Sequence, residues 1–287
     1  MINIIKKELN YYFKGMFGYF FITVFLIFAG IYTIMVNCNM GYANFEYTLN
    51  NMSFMYLVLI PFLTMRSLAE ERRQRTDQLL FSLPLSLTEV VLGKYIAMLA
   101  VLAIPVCVVA VYPVILSRYG AVPMENAYAA LLGFYLLGAS LAAIGIFVSS
   151  LTEHQAIAAG LSFAVFLFTY FGSNLTDYLP GTARASVAAL IVTAALLSLV
   201  FYYFSKSITA AAWTMAISAV VITAVYRKSP RLFEGLFGRF VGSLSLFERY
   251  NVFARGVLDI RTLIFDFSVI VFFLFITVHI LEKRRWS

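Results

Sequence analysis

Runs of about twenty mostly apolar residues follow one another along this chain, and nothing else in it restricts the fold so severely. A bilayer core about 30 Å thick is spanned by roughly 20 such residues, because a helix rises about 1.5 Å per residue. Composition agrees. Of 287 residues, 62% are hydrophobic and 12% charged, whereas a soluble domain is about half apolar and about a quarter charged. The chain is therefore read as an all-α polytopic membrane protein, a single transmembrane domain over 1–287, and a soluble enzyme is excluded.

Eight spans are expected: 17–36, 52–68, 95–117, 127–150, 156–173, 187–204, 208–226 and 263–281. The first follows Lys6, Lys7 and Lys14 as a signal peptide would. Its length, and the absence of a small-x-small site around Asn37-Cys38-Asn39-Met40, mark it as a retained span. Ahead of it, Ile2, Ile5, Leu9, Tyr12 and Phe13 recur at helical spacing among Lys6, Lys7, Glu8 and Lys14, so residues 1–16 read as an amphipathic interfacial helix. Residues 227–262 read as an outer amphipathic segment, with Leu232, Leu236, Phe240 and Leu244 on one stripe and Phe247, Phe253 and Leu258 adding apolar contacts.

Eight crossings put both termini on one side, and basic residues choose it. With the termini inside, the inner segments hold Lys6, Lys7, Lys14, Arg66, Arg72, Arg73, Arg75, Lys94, Lys206, Lys283, Arg284 and Arg285, against Arg118 and Arg184 in the first three outer loops. Basic residues collect on the cytoplasmic side, and short loops and the first helix weigh most. The same bias accounts for the net charge of +7 without nucleic acid. The segment 227–261 carries seven further Lys and Arg and runs against it, so spans six and seven hold the parity open.

Between spans two and three lies a charged block followed by an apolar stripe, within a cytoplasmic segment 70–92. Glu70, Glu71, Arg72, Arg73, Arg75 and Asp77 carry the charge. Thr76, Leu79, Leu80 and Leu83 fall at i, i+3, i+4 and i+7, which predicts a short helix with one apolar face and the charges opposite. Pro84 ends it. Such a helix can also be an ordinary solvated flank.

The stretch Glu71, Thr76, Leu79, Leu80, Pro84 and Ser86 resembles the signature of ABC-2 type permeases, a Glu, polar residues, Thr, two Leu, then Pro-x-Ser. Arg75 departs from it, since many relatives place Gly before the Thr. The close of the chain, Phe247-Glu248-Arg249-Tyr250, Phe253 to Arg261 and a last span ending in Arg-Arg-Trp, is similar to the gliding-motility-type branch. The resemblance implies a six-span core, here with spans six and seven as an added hairpin, and a coupling helix between spans two and three that docks on a separate ATPase subunit. It implies contact with that subunit through Glu70, Glu71, Arg72, Arg73, Arg75, Thr76 and Asp77, with Leu79 and Leu80 as apolar anchor and Pro84 as helix end. The chain itself lacks a P-loop, since Gly93-Lys94 is its only Gly-Lys pair and Thr88 stands where the first Gly would. ATP and Mg are thus expected on the partner, with no cofactor, metal or catalytic residue here. A second permease copy or a related permease, the bilayer and a cell-membrane location complete the expectation. Export is the expected direction, because no segment resembles a docking site for a soluble binding protein. The alternative is a mechanotransmission or assembly unit that moves a partner protein instead of a solute.

Other residues have plainer readings. Arg66 at the inner end of span two is a snorkelling side chain or a functional charge. Glu153-His154 is a polar turn or a second, smaller cytoplasmic contact, and His279 faces the interface. Gly133, Gly138, Ala142 and Gly145 in span four, with Ala156, Ala159 and Gly160 in span five, allow close helix approach. Pro61, Pro105 and Pro113 are candidate kinks. Cys38 and Cys107 suggest neither a metal site nor a disulfide.

Overall fold

Lipid offers no partners to backbone N–H and C=O groups, so a spanning segment must close its hydrogen bonds internally, and the α-helix does so locally. The computed structural model describes residues 1–76, 86–178, 183–205, 208–228, 233, 242, 245–256 and 259–285, and among these no strand occurs. The helices are α1 (Ile2–Lys14), α2 (Phe17–Thr33), α3 (Phe45–Ser53), α4 (Tyr56–Thr64), α5 (Ala69–Arg73), α6 (Leu87–Val109), α7 (Tyr112–Leu116), α8 (Met124–Leu151), α9 (Gln155–Tyr178), α10 (Ala183–Ser205), α11 (Ile208–Lys228), α12 (Leu246–Phe253) and α13 (Ile260–Arg285). A π-helix, Ile34–Asn39, prolongs α2.

Five helical stretches among the described residues are long and apolar enough to cross a bilayer: Phe17–Asn39, Leu87–Leu116, Met124–Leu151, Gln155–Gly172 and Ile260–Arg284. The pair Phe45–Ser53 and Tyr56–Arg73 makes a sixth if its 58° bend is taken within one span. Helices α10 and α11, where spans 187–204 and 208–226 are expected, run for 23 and 21 residues, and Ser186–Ala195 is their described apolar stretch. The span expected at 95–117 begins earlier, at Leu87, because Ser86 accepts a hydrogen bond from the Glu89 backbone N–H and caps the helix there. Residues 87–92 of the expected cytoplasmic segment thus form the first turns of α6.

Two compact units are present, residues 1–168 with 249–287, and residues 169–248. In the first, α8 is central. Its most apolar stretch is 78% buried, against 22 to 33% for the other four apolar crossings. Small residues make this possible: a Cβ at Gly138 would stand 2.7 Å from Leu102 and 3.1 Å from Tyr56, and one at Gly145 would collide with Thr64. Gly160 on α9 has open space instead, so the same reasoning does not extend to span five. Tyr95 donates to Ala139 O and Tyr135 to Leu99 O, so α6 and α8 run antiparallel.

The last helix packs along the central one. Phe273 meets Phe147 at 5.4 Å between ring centroids and Asp266 lies beside Ser140, so α13 runs parallel to α8.

In the second unit α10 and α11 pack on each other as a hairpin. Ser245 donates to Thr169 O and accepts from Glu248 N–H at the start of α12, and Tyr170 packs edge-on to Phe247. The stripe Leu232, Leu236, Phe240 and Leu244 and the contact of Leu258 lie outside the described residues.

Gly145→Ala should lower the thermal midpoint of the detergent-solubilised protein, at a cost of about 1 to 3 kcal/mol for overpacking. Gly160→Ala should leave it unchanged or raise it slightly.

Candidate functional site: a charge cluster joining the N-terminal helix to the segment between the second and third spans

Span two does not run straight into the charged block. Its helix loosens over 65–68, and Ser149 of the central helix takes up the freed backbone groups. The Ser149 hydroxyl accepts from Leu68 and Ala69 N–H at 3.2 and 3.1 Å and donates to Met65 O at 3.2 Å. Helix α5 starts from this anchored point.

The rod expected to carry both charges and the Thr76-Leu79-Leu80 stripe is divided. Helix α5 ends at Arg73. Arg75 then turns left-handed at φ 55°, Arg75 N–H reaches Arg72 O at 3.1 Å and Thr76 N–H reaches Glu71 O at 3.0 Å. Those two bonds make a Schellman cap, in which the left-handed residue is usually Gly because it has no Cβ to clash. The Thr76 hydroxyl also donates to Glu71 O at 3.2 Å. Glu70, Glu71, Arg72 and Arg73 thus occupy a five-residue helix of their own, and Arg75 lies beyond its end. Asp77, Leu79, Leu80, Leu83 and Pro84 lie outside the described residues.

Within α5 the charges are paired to the protein itself. Glu71 meets Lys94 Nζ at 2.8 Å. Glu8 of α1 meets the same nitrogen at 2.8 Å. Lys94 is only 2% exposed, so its charge has left water, and a buried ammonium needs such partners. One cation therefore ties α1, α5 and α6 together. Glu70 pairs with Arg66 at 2.9 Å and accepts a hydrogen bond from Tyr11. Burial and that carboxylate push the Tyr11 phenol up to about 12, so it remains a donor. Arg66 also lies over the Phe17 ring at 3.9 Å, so this half-buried guanidinium is paired to the protein. Arg72 bonds Glu153 at 2.6 Å and approaches Leu151 O at 3.4 Å. The turn at 152–154 is thereby joined to α5. Of the expected contact residues, Arg73 and Arg75 are exposed and pair with no described residue.

Lys94 and Glu8 escaped sequence reasoning as site residues, although a signal existed. Glu8 stands three residues after Ile5 and four before Tyr12, on the apolar stripe of α1. Lys94 stands in register with Leu87, Val91, Met98 and Val101, all buried on α6. A charge in apolar phase on two helices is the mark of a buried pair. Ser149 had no such mark.

The fold and this cluster define a multi-pass, all-α membrane protein in which a cluster of paired charges joins the N-terminal helix to the segment between spans two and three and to the start of span three. Residues 37–227 match the family described as ABC-2 family transporter protein, and the chain belongs to that family. It is the membrane component, or permease, of an ABC transporter, a family that works with an ABC ATPase. No curated protein matches it.

Lys94→Met leaves Glu8 and Glu71 buried without their cation and should cost about 3 to 5 kcal/mol, read as a lower thermal midpoint. Adding Glu8→Gln and Glu71→Gln should recover much of that loss. Arg75→Gly relieves the left-handed backbone and should stabilise the protein by about 1 kcal/mol in the same measurement.

Proposed function

We propose that this chain is the permease subunit of an ATP-driven exporter in which residues 69–86 receive force from a separate ATPase subunit. The observation that carries the reading is the buried Lys94, whose two carboxylate partners join α5 to α1 and α6. A push on α5 would move the N-terminal helix and the start of span three with it, while Arg72 and Glu153 pass it to the turn after α8. Exposed ion pairs such as Arg72–Glu153 contribute only about 0 to 1 kcal/mol. Transmission then rests on the buried triad.

Docking itself falls to groups left over. Arg73 and Arg75 face outward for rim contacts, and Leu79 and Leu80 supply the apolar anchor, since buried anchors dominate interfaces while rim charges set orientation. Asp77 and Pro84 belong to the same docking segment. ATP and Mg bind the partner subunit, two permeases form the working unit, and both termini are cytoplasmic, as the basic bias of the short loops supports.

Replacing both Leu79 and Leu80 with Asp should abolish co-purification with the ATPase subunit while leaving the permease folded. Unchanged co-purification removes the docking assignment. A cysteine at Arg73 should react with a membrane-impermeant thiol reagent only from the cytoplasmic side, and labelling from outside overturns the orientation. In reconstituted vesicles, ATP hydrolysis should drive net solute movement. Hydrolysis without it would favour a unit that moves a partner protein.

A further inference from the structure

Between span two and α5 the helix is broken, and one side chain holds both sides of the break. Regular bonding stands on either side, Met65 N–H reaching Pro61 O at 2.9 Å and Arg72 N–H reaching Leu68 O at 3.1 Å. Across it, the Ser149 hydroxyl donates to Met65 O on the span-two side and accepts from Leu68 and Ala69 N–H on the α5 side. Ser149, Leu68 and Ala69 are all buried. A Ser of a neighbouring helix can re-satisfy backbone groups freed in this way. One turn earlier on α8, Gly145 leaves no clearance to Thr64, so the end of span two already lies directly against the central helix.

We propose that Ser149 is a positioning residue, a clasp that makes α5 and α8 move as one body when the ATPase subunit pushes on residues 69–86. The inference rests on the force-receiving role given to that segment above. The Lys94 triad joins α5 to α1 and α6, not to α8. The other polar tie from α5 toward α8 among the described residues is Arg72 with Glu153 and Leu151 O. Those side chains are open to water, which weakens an ion pair. Without the Ser149 hydroxyl, two N–H groups and a carbonyl lose their partner. The break then becomes a hinge, and a push bends the chain at 65–68 instead of displacing the central helix.

The test uses the full chain in complex with its ATPase subunit, with spin labels at Gln74→Cys on α5 and Leu132→Cys on α8, both exposed positions, in a Cys38→Ser, Cys107→Ser background. In wild type the distance between the labels should be the same with and without nucleotide trapped by ATP and vanadate. In Ser149→Ala, and in Ser149→Cys, which keeps the size but bonds weakly, it should shift and broaden on trapping. Ser149→Thr keeps the hydroxyl and should behave as wild type. Gly145→Ala, which destabilises the same helix, should also leave the distance unmoved, as a merely structural role of Ser149 would. Amide hydrogen exchange over 65–72 should quicken about fivefold in Ser149→Ala, the weight of one neutral hydrogen bond. A shift in wild type overturns the proposal, as does an unmoved distance in both Ser149→Ala and Ser149→Cys, or an equal shift in Gly145→Ala. If the ATPase subunit does not co-purify with wild type at all, the force-receiving reading fails and this one with it, so the two failures are told apart.

Discussion

A single ammonium group organises the N-terminal side of this protein. Lys94 has almost no contact with solvent, and its charge is tolerable only because Glu8 and Glu71 stand at 2.8 Å on either side. Desolvating an ion costs several kcal/mol, so the arrangement persists only when all three groups are in place together. Three elements that are remote in sequence are thereby committed to one geometry. The amphipathic helix cannot drift along the interface, and α5 cannot swing away from span three. The neighbouring pairs follow from that placement, with Arg66 and Tyr11 converging on Glu70 once α1 lies against the end of span two.

The membrane interior is ordered by a different rule. There the helices gain nothing from leaving lipid for one another except close contact and satisfied polar groups. Helix α8 meets that rule with glycines where Tyr56, Leu102 and Thr64 approach, and with Ser149 where a neighbouring backbone comes undone. The two regions meet at Ser149. It fixes the start of α5, so the packing of the central helix determines where the charged helix begins.

Much of this was legible in the sequence, and the parts that were not share a cause. Apolar runs gave the helical class and five of the eight expected crossings, because lipid imposes length and composition directly. Small residues in span four pointed correctly to close packing, since a missing side chain is visible in sequence. The interior break near residue 54 was invisible: no proline marks it, whereas Pro61 and Pro105 sit within continuous helices. Of the three candidate kinks only Pro113 begins a new helix, α7. In the cluster, the charged residues of α5 were found but not their partners: Glu8 and Lys94 each sit in apolar phase on their helices, yet they are 86 residues apart and nothing local says that they pair. Arg75 was recognisable as a departure from the family pattern, and its left-handed backbone shows why Gly suits that place.

Regular and irregular backbone are distributed unequally along the spans. At the end near Lys94 the chain is pinned by ion pairs and by Ser149. At the opposite end, span one passes into a π-helix at Ile34–Asn39, span two bends by 58° between α3 and α4, and span three breaks between α6 and α7. These interruptions lie side by side: Asn37 accepts from Thr48, Phe45 meets Tyr112, and Tyr128 of α8 donates to Ala110 O at the break in span three. π-Turns and kinks mark places where the regular i→i+4 ladder is interrupted. The backbone of these spans is thus pinned and paired at one end and interrupted at the other.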